Sequence, residues 1–135
     1  MFKFKYPLEV RFRDIDAFHH VNNAVYLTYM EQARVMYLRG VELFAPTHTM
    51  ILARSEVDYR KAVFLGDTLE VWARVAKIGT KSLEFEYEIY ANGVLCASAS
   101  SVHVWYDFEA NQSLPVPLEV RHRLEEFEGR SLTAA

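Results

Sequence analysis

The chain is poor in cysteine, glycine and proline, and it contains no long apolar run. One cysteine in 135 residues excludes an internal disulfide and any zinc site built from several cysteines. With 15 basic and 18 acidic residues, the net charge of −3 provides no basic field for general nucleic-acid binding. No stretch is apolar for long enough to span a bilayer, and the first six residues alternate instead of forming a signal core. We therefore expect a soluble cytoplasmic protein with no membrane span and no nucleic-acid partner.

The length and the apolar content predict one domain over residues 1–135. Half of the residues are apolar, at 51%, which is enough for a substantial core. The single cysteine, Cys96, lies in a strand-like run, so we expect a small core side chain there instead of a reactive thiol.

A long helix is predicted from Asn23 to Arg39. Its apolar side chains recur at helical spacing, at Val25, Tyr29, Ala33 and Met36. Further apolar residues on its other sides indicate that it is enclosed by the rest of the fold. Gly40 is predicted to cap its C-terminus, and Val41 to Thr49, which contains Pro46, is predicted to be a loop.

The pattern then changes to the period of two that β-strands show. The predicted strands are Met50–Lys61, Thr68–Ile78, Ser82–Ala91 and Val94–Asp107, after an extended segment Phe2–Arg13 with a break at Pro7. Leu118–Glu128 has the mixed charges of an exposed C-terminal helix. The predicted class is α+β, with a curled antiparallel sheet wrapped around one long helix and a short C-terminal helix. The free edge of so small a sheet predicts a homodimer, which could pair further into a tetramer.

The start of the long helix concentrates the polar chemistry of the chain. Two carboxylates, two imidazoles and two amides precede it, at Asp14, Asp16, His19, His20, Asn22 and Asn23. A helix start exposes unpaired N–H groups and a partial positive charge, so it can hold an oxyanion beside a carboxylate that attacks a carbonyl or takes a proton. The two asparagines are natural capping residues. This combination favours acyl chemistry.

Three motifs in order resemble the hotdog-fold acyl-CoA thioesterases, and within them the 4-hydroxybenzoyl-CoA thioesterase-like family. They are the Asp-x-Asp and His-Val-Asn-Asn string at 14–23, the helix segment Tyr29–Arg34, and the run Val57–Asp67 that ends in Gly-Asp. The likeness covers nearly the whole chain. It implies the hotdog fold and hydrolysis of a thioester of CoA or of an acyl-carrier protein.

The resemblance also implies roles for individual residues. Asp16 corresponds to the catalytic carboxylate, acting either as nucleophile or as general base towards water. The backbone N–H near Asn23 would stabilise the oxyanion, and His20 would support the site. Neither a metal nor another cofactor is implied. Many relatives carry Gly where this chain has His19, and Gly permits a tight turn that His resists.

The substrate-binding residues are expected on both sides of this centre. Phe18, Tyr26, Tyr29 and Phe64 can line an acyl pocket, which favours fatty or aromatic acyl groups. Arg60 and Lys61, together with Lys81 near the Gly79 turn, can meet the CoA phosphates. Arg60 and Lys61 could equally guard an edge strand against aggregation.

Other interpretations of these residues and of the pocket remain open. Asp14 is expected only to brace the loop by accepting hydrogen bonds. The adjacent histidines lack the i, i+4 spacing of a helical zinc site. The same pocket could also belong to a module that binds acyl-CoA or an acyl-carrier protein without cleaving it. A hotdog dehydratase is a weaker alternative, because that class places its histidine and acid differently.

Overall fold

The computed structural model of the protein describes residues 1–44 and 50–133. The predicted loop Val41–Thr49 is therefore described only as far as Phe44, and Pro46 lies outside the described residues. The strands are β1 Phe4–Glu9, β2 Met50–Tyr59, β3 Thr68–Ile78, β4 Ser82–Ala91, β5 Val94–Asp107 and β6 Gln112–Ser113. The helices are α1 Val25–Gly40 and α2 Leu118–Glu128, with a 3-10 turn at Phe12–Asp14.

Five strands form one antiparallel sheet in the order β1–β3–β4–β5–β2, and the short β6 pairs with the end of β5. The strict alternation of apolar and polar residues along β4 shows why the sheet has one buried face. Its apolar residues Leu83, Phe85, Tyr87 and Ile89 are all buried, whereas the glutamates between them lie on the wetter face. The asparagine and glycine at 92–93 both have positive φ and close the β4–β5 hairpin.

Helix α1 packs against the buried face, mainly over β3 and β1. Tyr37 anchors this contact, because its ring is fully buried and meets Phe4, Phe85 and Phe127 edge-on with centroids 5.2–5.5 Å apart. The sheet curls around this helix, which confirms the predicted α+β layout and the hotdog arrangement. None of the described helices is long and apolar enough to cross a membrane.

The ends of α1 differ from the prediction. The helix begins at Val25, two residues later than expected, and it includes Gly40 instead of using it as the cap. The residue with a left-handed backbone is Glu42, at φ 60°. The prediction of Gly40 as C-cap was therefore wrong, because the chain turns two residues later.

The predicted break at Pro7 was also wrong, since β1 continues through it and Pro7 pairs with Glu70. Proline lacks a donor, but β1 is an edge strand and one of its sides needs no ladder bond. The position of β1 at the edge of the sheet explains why Pro7 does not interrupt the strand.

Helix α2 is less exposed than its charges suggested. Val120, Leu124 and Glu128 form a buried stripe at helical spacing. The β3–β4 register shifts between Val75 and Lys77, and the Glu128 carboxylate accepts the Val75 N–H at 3.1 Å and the Tyr37 hydroxyl at 2.5 Å. Pairing of β1 with β3 ends at Ala73, so the Val75 N–H has no partner in β1, and a distant helix supplies the acceptor.

Candidate active site

The acidic segment before α1 folds into a small hairpin. The Asp16 N–H donates to the His20 carbonyl at 3.0 Å, and the His19 N–H donates to the Asp16 carbonyl at 3.1 Å. His19 has φ 69°, in the left-handed region. A three-residue hairpin loop needs such a residue at its last position, which His19 occupies. The loop therefore keeps the tight shape despite the histidine.

Replacing His19 with glycine is expected to raise the free energy of unfolding by about 0.5–1 kcal/mol. The left-handed backbone costs a side chain with a Cβ roughly 1–2 kcal/mol, and the greater freedom of glycine in the unfolded chain offsets part of the gain. Denaturant titration measures the difference. His19→Ala is the matched control, because it removes the exposed imidazole but keeps the Cβ, and it should not stabilise. Equal effects of both variants would show that backbone strain is not the cause.

Asp16 lies at the opening of this hairpin with one oxygen anchored and the other free to act. Its Oδ1 accepts the Phe18 N–H at 2.8 Å. Its Oδ2 is 3.7 Å from Nδ1 of His20, and the two side chains are 21% and 34% exposed. A carboxylate held in place yet open to solvent has the access that a nucleophile or a base for water requires.

Asp14 supports the hairpin from below and takes no part in the opening. Asp14 is buried, and its carboxylate accepts three hydrogen bonds: from the Arg11 guanidinium at 2.9 Å, from the Arg11 backbone N–H at 2.9 Å and from the Tyr29 hydroxyl at 2.8 Å. Burial alone would raise the pKa of Asp14, but the hydrogen bonds from Arg11 and Tyr29 outweigh it and hold the pKa below its usual value. The bracing role predicted for Asp14 agrees with these contacts.

Asn22 joins the hairpin to the start of α1. Its N–H donates to the Asp14 carbonyl at 2.9 Å, its Oδ1 accepts the Ala24 N–H at 2.8 Å, and its carbonyl accepts the Val25 N–H at 2.9 Å. Within the described part of the chain, nothing accepts a hydrogen bond from the Asn23 N–H. The Asn22 side chain thus satisfies the Ala24 N–H, and the backbone N–H of Asn23 is one donor left without an acceptor at the helix start.

A cleft of about 240 Å³ opens beside this donor. It is lined by His20, Val21, Asn23, Tyr26, Tyr59, Arg60, Lys61 and Ala62. Asp16 adjoins it across His20. Tyr26 is buried, and this burial raises its pKa to about 12, so its hydroxyl is neutral near pH 7 and serves as a polar wall instead of a base.

The other predicted aromatic residues are divided between two environments. Phe18 and Phe64 are exposed, at 78% and 48%, and flank the His20 ring with centroids 6.3 and 6.5 Å away. Tyr29 is buried and turned towards Asp14, so it braces the loop and does not line the cleft. The two exposed rings give the opening of the site an apolar rim.

The predicted basic residues lie at two distant places in the chain. Arg60 and Lys61 border the cleft, and their N–H groups both donate to the Cys96 carbonyl. Lys81 follows the opposite end of β3, near Ser113, and a strand of that length extends roughly 33 Å. The structure therefore brings Arg60 and Lys61, but not Lys81, to the Asp16 hairpin of the same chain.

Three lining residues of the cleft, Val21, Tyr59 and Ala62, were not predicted from the sequence as site residues. Tyr59 ends β2 and donates its hydroxyl to the Asn23 carbonyl at 2.7 Å. Its position next to Arg60 was the only local signal. Among residues 1–44 and 50–133, no group of three or more His, Cys, Asp or Glu side chains is placed to hold a metal ion.

Comparison with known proteins places this geometry in a family. The sequence model of the thioesterase-like superfamily matches residues 10–124. A thioesterase structure from Thermus thermophilus, complexed with coenzyme A and Zn, is 37% identical, with a TM-score of 0.87 over 97% of this chain and 98% of that one.

Two curated relatives agree with this placement. The long-chain acyl-CoA thioesterase FadM of Escherichia coli (strain K12) is 27% identical, covering 89% of this chain and 96% of FadM. The 1,4-dihydroxy-2-naphthoyl-CoA hydrolase of Nostoc punctiforme is 28% identical, covering 90% and 86%. Because the family match takes in the Asp16 hairpin, α1 and the cleft together, the chain belongs to the thioesterase-like superfamily.

Proposed function

We propose that the protein hydrolyses acyl-CoA thioesters to a free acid and CoA. The observation that carries this proposal is the pairing of the Asp16 carboxylate, anchored but open, with an unused Asn23 N–H at the start of α1. Family membership supports the reaction type, and two relatives whose names specify CoA thioesters support the substrate class.

In the proposed mechanism the thioester oxygen approaches the Asn23 N–H, where the helix start stabilises the negative charge that develops on it. Asp16 either takes a proton from the attacking water or attacks the carbonyl carbon itself. In both routes the C–S bond breaks and the CoA thiolate leaves and is protonated. After direct attack, water hydrolyses the mixed anhydride between Asp16 and the acyl group, which releases the acid and restores the carboxylate. His20, 3.7 Å from Asp16, orients the carboxylate at the edge of the cleft.

The acyl group that fits best is apolar. Phe18 and Phe64 present exposed rings beside His20, and Tyr26 and Tyr59 form the aromatic part of the cleft wall. One relative acts on long-chain acyl-CoA and another on an aromatic naphthoyl-CoA. We therefore expect fatty or aromatic acyl groups to be cleaved faster than short or charged ones.

A thiol-release assay over a panel of acyl-CoA thioesters tests the proposed function. Release of CoA above the spontaneous rate, with a preference for apolar acyl groups, is the expected result. Binding of the same thioesters by calorimetry without turnover would overturn hydrolysis in favour of a binding module. Single turnovers in ¹⁸O-labelled water separate the two routes, because only direct attack by Asp16 can leave the label in the enzyme.

Lys61→Ala is expected to raise KM for acyl-CoA about three- to tenfold with little change in kcat. Lys61 borders the cleft, and the ammonium group can contact a CoA phosphate in both the ground state and the transition state, so its loss weakens uniform binding. Steady-state kinetics at low and moderate salt measures the effect. Because salt screens the charge of Lys61, the rise in KM should be smaller at moderate salt.

Two controls make the Lys61 result specific. A pantetheine thioester with the same acyl group lacks the nucleotide phosphates, so its KM should be the same for wild type and variant. Lys3→Ala removes an exposed lysine from the N-terminal segment outside the cleft and should leave both substrates unchanged. An equal rise in KM for the pantetheine thioester would show that Lys61 does not contact the phosphates.

The assembly and the location are part of the same proposal. Strand β2 is ten residues long, pairs with β5 on one side only among the described strands, and exposes Ile51 and Leu52. Such an edge favours pairing with a second copy, so we propose a homodimer and, at higher order, a tetramer. Light scattering should give at least the dimer mass, and a monomer would contradict it. Cytoplasmic location remains the prediction from the sequence, which cell fractionation tests.

A further inference from the structure

Tyr59 connects the end of β2 to the start of α1. Its hydroxyl donates to the Asn23 carbonyl at 2.7 Å, and its ring meets the buried Tyr26 ring edge-on, with centroids 4.9 Å apart and an interplanar angle of 85°. The Tyr59 backbone is fixed in turn by its pairing with Ala97 of β5. The hydroxyl is therefore presented from the sheet, which is the rigid part of the fold.

The hydrogen bond from Tyr59 completes the fixation of two consecutive peptide groups. The Asn23–Ala24 peptide is held by Tyr59 at its carbonyl and by the Asn22 side chain at its N–H. The preceding Asn22–Asn23 peptide is held at its carbonyl by the Val25 N–H. Of the four backbone groups in these two peptides, only the N–H of Asn23 has no acceptor among the described residues, and the groups around it leave little freedom to turn.

We propose that Tyr59 is a positioning residue of the thioesterase reaction, which aims the Asn23 N–H at the thioester oxygen by holding the Asn23 carbonyl. This inference rests on the proposed function. An oxyanion donor contributes most when its direction is set before the reaction, because no energy is then needed to reorient it as charge develops. The structure assigns that task to a hydroxyl from β2, a strand that contributes no group to the Asp16 hairpin.

The hydroxyl and the ring of Tyr59 have separable roles. The ring packs on Tyr26 and closes one wall of the cleft, whereas the hydroxyl alone reaches the Asn23 carbonyl. Burial raises the pKa of Tyr59, so the group stays protonated and able to donate over the ordinary assay range. Tyr59→Phe therefore removes the hydrogen bond and keeps the packing.

Tyr59→Phe is expected to lower kcat about tenfold while KM stays within twofold, because the lost interaction matters most in the transition state. Binding of two acyl-CoA analogues gives an independent readout. A trifluoromethyl-ketone analogue, whose carbonyl adds water to give a tetrahedral diol, should bind about tenfold more weakly to the variant. A thioether analogue, which has no carbonyl oxygen, should bind equally well to both proteins.

Tyr106→Phe is the matched control. The Tyr106 hydroxyl donates to Asn111 at the same 2.7 Å, on the surface beyond the end of β5, and its loss should change neither kcat nor analogue binding. Unchanged kcat and unchanged ketone binding in Tyr59→Phe would overturn the inference, as would equal weakening of both analogues. If wild type hydrolyses no thioester, the proposed function fails. Active wild type with an unaffected Tyr59→Phe refutes only the inference.

Discussion

Replacing Asp16 with asparagine is expected to lower kcat about a thousandfold and to change KM little. The amide keeps the oxygen that accepts the Phe18 N–H at 2.8 Å, so the hairpin stays folded. It can neither take a proton from water nor attack a carbonyl, and the loss of such a group removes two to four orders of magnitude in rate. The remaining rate would come from the helix start and from binding. Thiol release at saturating acyl-CoA measures the loss.

Asp107→Asn is the matched control for this experiment. The Asp107 carboxylate accepts the Glu109 N–H, two residues ahead, at 2.9 Å, in the same local geometry as Asp16 and Phe18. It lies at the end of β5, outside the cleft. Its replacement should leave kcat unchanged. An Asp16→Asn enzyme that keeps more than a tenth of the wild-type kcat would move the chemistry to another group.

A buried histidine is expected to dominate the loss of stability in mild acid. His103 of β5 is 2% exposed, and its Nε2 lies 2.7 Å from the Ser101 hydroxyl, which in turn is 2.7 Å from the Tyr87 hydroxyl. Arg34 of α1 donates to that Tyr87 hydroxyl at 3.1 Å. Burial, with a further contribution from the positive charge of Arg34, lowers the pKa of His103 to about 3.

The direction of the pH effect follows from this depressed pKa. Between pH 6.5 and 3 the unfolded chain binds a proton at His103 that the folded protein does not, so stability is full above pH 6.5 and falls as the pH drops. From pH 7 to pH 5 the free energy of unfolding should fall by about 2 kcal/mol from this group alone. The depressed pKa of Asp14 acts in the same direction but only below about pH 4.

Denaturant unfolding of His103→Gln at pH 7 and pH 5 isolates the contribution of His103. The glutamine oxygen can accept from Ser101 in place of Nε2 and does not titrate, so the variant should lose about 2 kcal/mol less than wild type over this interval. His122→Gln changes an exposed histidine of α2 and should follow the wild-type curve. Parallel curves for wild type and His103→Gln would show that His103 does not set the pH dependence.

The prediction from sequence succeeded where the signal was local. The bounds of β3, β4, β5 and α2 match the observed ones, and β2 is only two residues shorter than predicted. Strand alternation and the Asn92-Gly93 turn act within a few residues, so they remain valid whatever surrounds them. The Asp16 hairpin and the helix after it were also visible as one motif, because all of their polar groups lie within ten positions.

Several side chains and one strand were misjudged because the deciding contact comes from a residue distant in sequence. Pro7 stays in a strand because β1 is an edge. The Val75 N–H finds its acceptor in Glu128 of α2, and Tyr29 is drawn to Asp14 instead of the acyl pocket. Lys81, expected from its place near the Gly79 turn to meet CoA phosphates, lies at the far end of β3.

The sequence by itself determined the α+β class, nearly all strand bounds, and the grouping of two carboxylates just before the long helix, because periodicity and motif spacing are properties of neighbouring residues. Only the tertiary structure decided that His19 adopts the left-handed turn, that Arg60 and Lys61 share a cleft with Asn23, and that Tyr59 holds the Asn23 carbonyl. The hydrogen bond from Tyr59 to the Asn23 carbonyl joins β2 to the start of α1 across 36 positions of the chain. A contact of this range forms only when the sheet curls around the helix.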